Sequence, residues 1–268
     1  MKRISILWII SSLSVIVIAA NGIIENRHLD VKYKANHQMK GFAVVELFTS
    51  EGCSSCPPAD DLVAKIQKEN NDQPVYILAF HVDYWNNLGW KDSFSSSAFS
   101  KRQNQYADWL NLRSVYTPQV IVNGRKEFVG SDEGSLRNAI NAGLQNVSPA
   151  QVTLNDVQIT QQGVNLKYQT VGVATHSSLI LAVIQESATT EVKRGENGGR
   201  TLSHVQIVRS LQAVDFDQRN GGTAHIDLPG RLNLKNSELI AFLQNNSTGE
   251  IMAATKVSLG SILSNKIN

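Results

Sequence analysis

The run Phe42-Ala43-Val44-Val45-Glu46-Leu47-Phe48, followed by Thr49-Ser50-Glu51-Gly52-Cys53-Ser54-Ser55-Cys56-Pro57-Pro58, leaves the chain few ways to fold around it. Its first part is apolar and partly β-branched, which suits a strand buried on both faces. Gly52 marks a turn. Pro57 and Pro58 suit the first turn of a helix, where φ is near helical and a backbone N–H has no partner in any case. From Asp61 onward, Leu62, Val63 and Ile66 take helical spacing. Cys53 and Cys56 therefore fall at a helix N-terminus, where free N–H groups and the dipole favour an anion. A thiolate is such an anion, and it is the form that attacks a disulfide. The pair reads as redox-active.

These are the only two cysteines of the chain. A structural zinc site normally takes four Cys or His ligands. The competing reading is a module that carries copper or zinc on the two thiolates, with His81 as a further ligand and without turnover. A merely structural bridge is a third reading, although so short a loop constrains the unfolded chain little.

The chain has 268 residues, enough for one large or two modest domains. Lys2 and Arg3 precede an uncharged, mostly apolar run over residues 4–20 that ends in Ala19 and Ala20. That pattern is a secretory signal peptide, or a signal anchor if it is not removed, and either exports the body of the protein. Lys and Arg number 25 and Asp and Glu 23, so losing Lys2 and Arg3 takes the net charge from +2 to 0. A neutral body has no electrostatic footprint for nucleic acid, and a membrane enters only through an uncleaved leader. Exported disulfides persist, and the expected partners are thiol- or disulfide-bearing proteins, with no cofactor called for.

Residues 21–40 are polar and unpatterned, a lead-in. Beyond the cysteine helix, the nearly continuous apolar run over residues 75–82 predicts a second buried strand, with His81 and Asp83 towards its carboxyl end. There they read either as a hydrogen-bonded pair or as part of the site. The aromatic loop over residues 84–92 leads to a predicted helix over 94–110. Trp85 and Trp90 either pack this insertion or form a rim that receives substrate. Pro118 precedes an apolar strand, Asn123-Gly124 signals a hairpin, and Asp132 or Ser131 caps a helix through Leu136, Ile140 and Leu144.

The element order, the cysteine pair at a helix start and Thr117-Pro118 before a hairpin together resemble a thioredoxin fold. More narrowly, residues 45–60, 81–92, 116–124 and 194–209 resemble the exported bacterial family catalogued as domain of unknown function 1223. The resemblance implies a cis Pro118 facing the cysteines, and a Thr117 whose backbone meets a bound polypeptide. Thioredoxins carry an acid in the strand before the cysteines. Glu46 stands in that strand, one residue further off, and reads either as a proton acceptor for Cys56 or as a paired structural carboxylate.

From Gln151 the texture changes to short β-patterned runs broken at Gln162-Gly163, Gly221-Gly222, Pro229-Gly230 and Ser247-Thr248-Gly249. That predicts an α/β thioredoxin-like domain over residues 41–148, then a mainly β, antiparallel sandwich-like domain over 149–268. The Gly-rich loop over residues 194–204 lacks any phosphate-binding pattern and reads as a mobile or domain-contacting loop. The function expected is an exported thiol–disulfide oxidoreductase in which Cys53 attacks and Cys56 resolves.

Overall fold

The computed structural model describes residues 41–215, 220–230 and 232–265, so the expected leader and lead-in lie outside the described residues. The chain runs β1 (Ala43–Thr49), α1 (Pro57–Glu69), β2 (Val75–His81), α2 (Ser97–Leu110), β3 (Gln119–Val122), β4 (Lys126–Val129) and α3 (Glu133–Gln145). It continues with β5 (Gln151–Ile159), β6 (Gly163–Val171), β7 (Ser177–Glu191), β8 (Thr201–Asp215), β9 (Gly221–Asp227), β10 (Ser237–Asn245), β11 (Ile251–Ser258) and α4 (Leu259–Asn265). Among the described residues no helix is long and apolar enough to cross a membrane.

The molecule is mixed α/β with a large, mainly β sheet. Eight strands lie in the order β11-β10-β7-β8-β2-β1-β3-β4. β1 and β2 pair in parallel from Ala43↔Val75 to Thr49↔His81, the arrangement expected when a helix crosses between two buried strands. β2 also meets β8 in parallel at Ala79↔Ile207, so strands from both halves of the chain share one sheet. The β runs after Gln151 divide between two sheets: β7, β8, β10 and β11 extend the large one, while β5, β6 and β9 form a three-stranded sheet of their own.

Three apolar clusters follow from strand alternation. Val45 and Leu47 face α1 and α3, packing with Leu62, Val63, Ile66, Leu136 and Ile140. Val44 and Phe48 face the other way, towards α2, where Phe80, Phe99 and Tyr106 meet Ile240 and Phe242 of β10. Leu181, Val183 and Leu239 turn to the three-stranded sheet, against Val164, Leu166 and Ile226. Each fully buried large side chain adds roughly 1.5–3 kcal/mol.

Three elements, α2, β7 and β8, differ in extent from the sequence reading. α2 begins at Ser97 rather than Phe94, because Ser96 accepts from the Ala98 N–H as its cap and the Phe94 N–H goes to Asp92. β7 and β8 each run 15 residues, well past the apolar stretches that mark them in the sequence. Their outer arms pair with one another from Ser187↔Val205 to Glu191↔Thr201 and carry the connecting tip to the turn that follows β1, where Asn197 meets Glu51.

Candidate functional site

β1 ends at Thr49, and the chain turns so that the Cys53 N–H donates to Ser50 O at 3.1 Å and the Cys56 N–H to Cys53 O at 3.2 Å. Cys56 is the N-cap of α1, with proline in the first helical positions. The two sulfurs are joined in a disulfide across a Cα–Cα distance of 5.4 Å. Both cysteines are 0% exposed, while Ser54 and Ser55 between them are exposed.

Thr117-Pro118 lies beside this turn, and its peptide bond is cis. Gly130, whose N–H donates to Pro118 O, shows how close the packing is. A Cβ there would lie 3.1 Å from both the Pro118 and the Ala59 Cβ atoms, so β3 and the first turn of α1 meet across it. Trp85 stands against Gly52 and donates from Nε1 to Thr117 Oγ1 at 2.8 Å. Trp90 Nε1 donates to Glu51 Oε2 at 2.6 Å. Both tryptophans are half-buried and hydrogen-bonded to residues flanking the cysteines or Pro118. They brace this region rather than standing free as a rim.

Behind the turn lies a buried polar cluster. Asp92 Oδ2 accepts from the Glu51 N–H at 2.8 Å and from His81 Nδ1 at 2.7 Å. Burial works against ionisation of Asp92, yet the attraction of His81 and these hydrogen bonds hold its carboxyl below the usual range. The His204 ring of β8 packs edge-on to His81, 4.9 Å between centroids, and its Nε2 lies 3.6 Å from Glu51 Oε1. Glu51 Oε1, His81 Nε2 and both His204 nitrogens have no hydrogen-bond partner.

Asp60 completes the cluster. It sits one turn beyond Cys56 on the same face of α1, with Thr49 Oγ1 donating to its carboxylate at 3.2 Å. Burial pushes its pKa from 3.8 up to about 7, against the pull of His204 and Thr49. Sequence reasoning missed Asp60, although Cys56, Asp60 and Val63 fall on one helical stripe.

The proton-acceptor reading of Glu46 and the pairing of His81 with Asp83 need correction. Glu46 is no proton acceptor for Cys56: its neighbours Val45 and Leu47 face α1, so strand alternation sends Glu46 to the opposite face of the sheet. There it receives Arg102 Nε at 2.5 Å and Nη2 at 2.8 Å, and the Tyr106 hydroxyl as well. His81 and Asp83 do not pair. β2 ends at His81, the chain turns, and Asp83 accepts from Ser100 Oγ at 2.5 Å on α2. The Gly-rich loop over residues 194–204 takes the domain-contacting alternative and docks on the cysteine turn: Asn197 Nδ2 donates to both Glu51 O and Cys53 O at 2.9 Å.

Among the described residues no group of three or more His, Cys, Asp or Glu side chains is placed to hold a metal ion. A cavity of about 780 Å³ lies elsewhere, between α3 and the β3–β4 hairpin, lined by Phe42, Asn123, Phe128 and Ser135 among others.

The family model described as a protein of unknown function, DUF1223, matches residues 44–244, from β1 into β10. The chain belongs to this family. The matched span of the DUF1223 chain contains the cysteines, Pro118, Asn197 and His204 alike. It is similar to the crystal structure of protein AGR_C_4864 from Agrobacterium tumefaciens, with 31% identity and a TM-score of 0.62 over 81% of this chain and 94% of that one. It shares its fold with HBP35 of Porphyromonas gingivalis at 16% identity, a TM-score of 0.58, and coverage of 82% and 76% of the two chains. Among curated proteins, none matches the DUF1223 chain.

Proposed function

We propose that this protein is a thiol–disulfide oxidoreductase built on a thioredoxin-like unit, with Cys53 and Cys56 as its redox pair. The observation that carries the reading is the disulfide at the start of α1 with a buried carboxylic acid, Asp60, one helical turn behind it. The strand order β2-β1-β3-β4, with α1 and α3 on one face and α2 on the other, supports the thioredoxin-like assignment. The basic, then apolar run over residues 2–20 supports export to the periplasm or beyond, where a disulfide persists.

In the oxidising direction, a substrate thiolate attacks Cys53 Sγ. The Cys53–Cys56 bond breaks, a mixed disulfide forms, and the electron pair leaves on Cys56 as a thiolate that takes a proton. The second substrate thiolate then attacks its own bridged sulfur, releasing substrate disulfide and a Cys53 thiolate. In the reducing direction, Cys53 attacks a substrate disulfide and Cys56, losing its proton, resolves the intermediate. Asp60, one helical turn from Cys56, is the group we assign to give and take that proton, since a carboxyl whose pKa burial raises to about 7 matches the task. An exchange assay with a peptide disulfide tests the function: the wild-type chain turns over, and Cys53→Ser does not. A wild-type chain with no turnover in either direction contradicts it.

Asp60 yields a separate prediction. Its folded pKa, about 7, exceeds the unfolded value near 3.8, so between those values the folded state binds more protons. Unfolding free energy therefore falls as pH rises from 4 to 7, by on the order of 4 kcal/mol at ~1.4 kcal/mol per pKa unit. Asp60→Asn removes that fall, so the variant gains on wild type as pH rises from 4 to 8 in urea unfolding. It also slows exchange on the order of 10²-fold. Parallel stability curves for the two proteins across that range contradict the assignment.

A further inference from the structure

The turn that carries the buried cysteine pair is hydrogen-bonded to a part of the chain remote from it in sequence. The tip between β7 and β8 anchors itself with Val192 and Asn197, both buried, while the residues around them stay exposed. Asn197 Nδ2 spends its two hydrogens on Glu51 O and Cys53 O, and Arg200 Nη1 donates to Asn197 Oδ1 at 2.8 Å, which fixes the amide's orientation. Glu196 Oε2 accepts from the Ser54 N–H at 3.0 Å, between the two cysteines. Gly195 packs on Trp90, where a Cβ would come within 3.2 Å of the Trp90 Cβ.

Two consequences follow. A disulfide with no exposed surface is open to attack only in a minority state in which its cover has moved. The carboxylate of Glu196 also holds an N–H at the start of α1, in the region where a Cys53 thiolate would be stabilised.

We propose that the β7–β8 tip is a displaceable lid on the redox pair, latched by Asn197 and Glu196, and that it sets the rate at which any attacking group reaches Cys53. The inference rests on the redox reading for its purpose but not for its test. With the lid shut, Asn197 and Glu196 hold Glu51 O, Cys53 O and the Ser54 N–H. A substrate strand that displaces the tip finds the same carbonyls and N–H group free to bond its own backbone amides, whereas a small thiol gains no such compensation. Asn197 and Glu196 are in this sense specificity-determining residues.

The test measures reduction by tris(2-carboxyethyl)phosphine, followed by alkylation of the thiols released. The phosphine supplies two electrons, the S–S bond breaks, and water supplies the phosphine-oxide oxygen and the two thiol protons, so no thiol exchange is involved. Asn197→Ala in the full chain is expected to be reduced about tenfold faster than wild type, the scale of losing modest hydrogen bonds. Glu196→Gln, an exposed and isosteric change that leaves folding out of the question, is expected to be faster by a smaller factor. Both variants reducing at the wild-type rate would overturn the lid. A separate equilibrium against dithiothreitol keeps the two claims apart. Reversible cycling with unchanged phosphine rates removes the lid and leaves the redox reading, while accelerated phosphine rates without cycling do the reverse.

Discussion

Arg102→Leu is expected to cost roughly 3–5 kcal/mol of unfolding free energy, because it leaves the Glu46 carboxylate buried without its counter-charge. Glu46 is fully buried in the middle of β1, and Arg102 reaches it from α2 with two hydrogen bonds. Arg102 also donates to Gln244 of β10 at 3.1 Å and lies over the rings of Phe80, Tyr106 and Phe242. One guanidinium thus ties the strand that leads to the cysteines, the helix on its far face and a strand of the second half. Most of the expected loss is the penalty of the orphaned carboxylate rather than a net gain from the pair. The double variant Glu46→Gln with Arg102→Met, which removes both charges, is therefore expected to recover a large part of it. Urea unfolding of the single and double variants checks both statements. A single variant within 1 kcal/mol of wild type, a threshold at the scale of an ordinary surface change, would show that the network carries little.

Cys56→Ser is expected to accumulate a mixed disulfide through Cys53 when offered a peptide disulfide, whereas Cys53→Ser accumulates none. The two differ by position in the turn. Cys53 precedes the helix, its sulfur 3.4 Å from the Ser55 hydroxyl, while Cys56 is the N-cap itself, with the Ala59 and Asp60 N–H groups donating to its carbonyl. Losing the bridge cannot be mistaken for unfolding. Closing so short a loop contributes about 2 kcal/mol in the chain-entropy model, well within the stability of a domain with three apolar clusters. The trapped adduct is read by mass. Adduct on Cys56 in the Cys53→Ser protein, and none on Cys53, would reverse the roles.

What was legible in the sequence was local. The strand, turn and helix around Cys53 and Cys56 could be read because apolar runs, a glycine and two prolines each act on the nearest few residues. The family resemblance carried Thr117-Pro118 to its place beside that turn. What was not legible depended on which face met what. Glu46 stands in an alternating strand, and one residue of offset decides between the helix that bears the cysteines and the helix behind. The outer arms of β7 and β8 are mostly polar, with Leu202 and Val205 as isolated apolar positions, so no continuous apolar run marked them. The acid cluster gathers Glu51, Asp60, Asp92 and His204 from separate loops, a helix and a strand, and only the tertiary fold brings them together. Asp60 has a local signature as well, its four-residue spacing from Cys56.

A redox titration of the chain across a dithiothreitol gradient, under nitrogen with metal chelated, asks whether Cys53 and Cys56 cycle as a redox pair. Tryptophan fluorescence and thiol alkylation would be followed together, since Trp85 and Trp90 are bonded to residues beside the cysteine turn and Pro118. One reversible two-electron transition with the same midpoint by both readouts is expected. Cysteines that never cycle, or that resist alkylation until a metal is stripped from them, would contradict it.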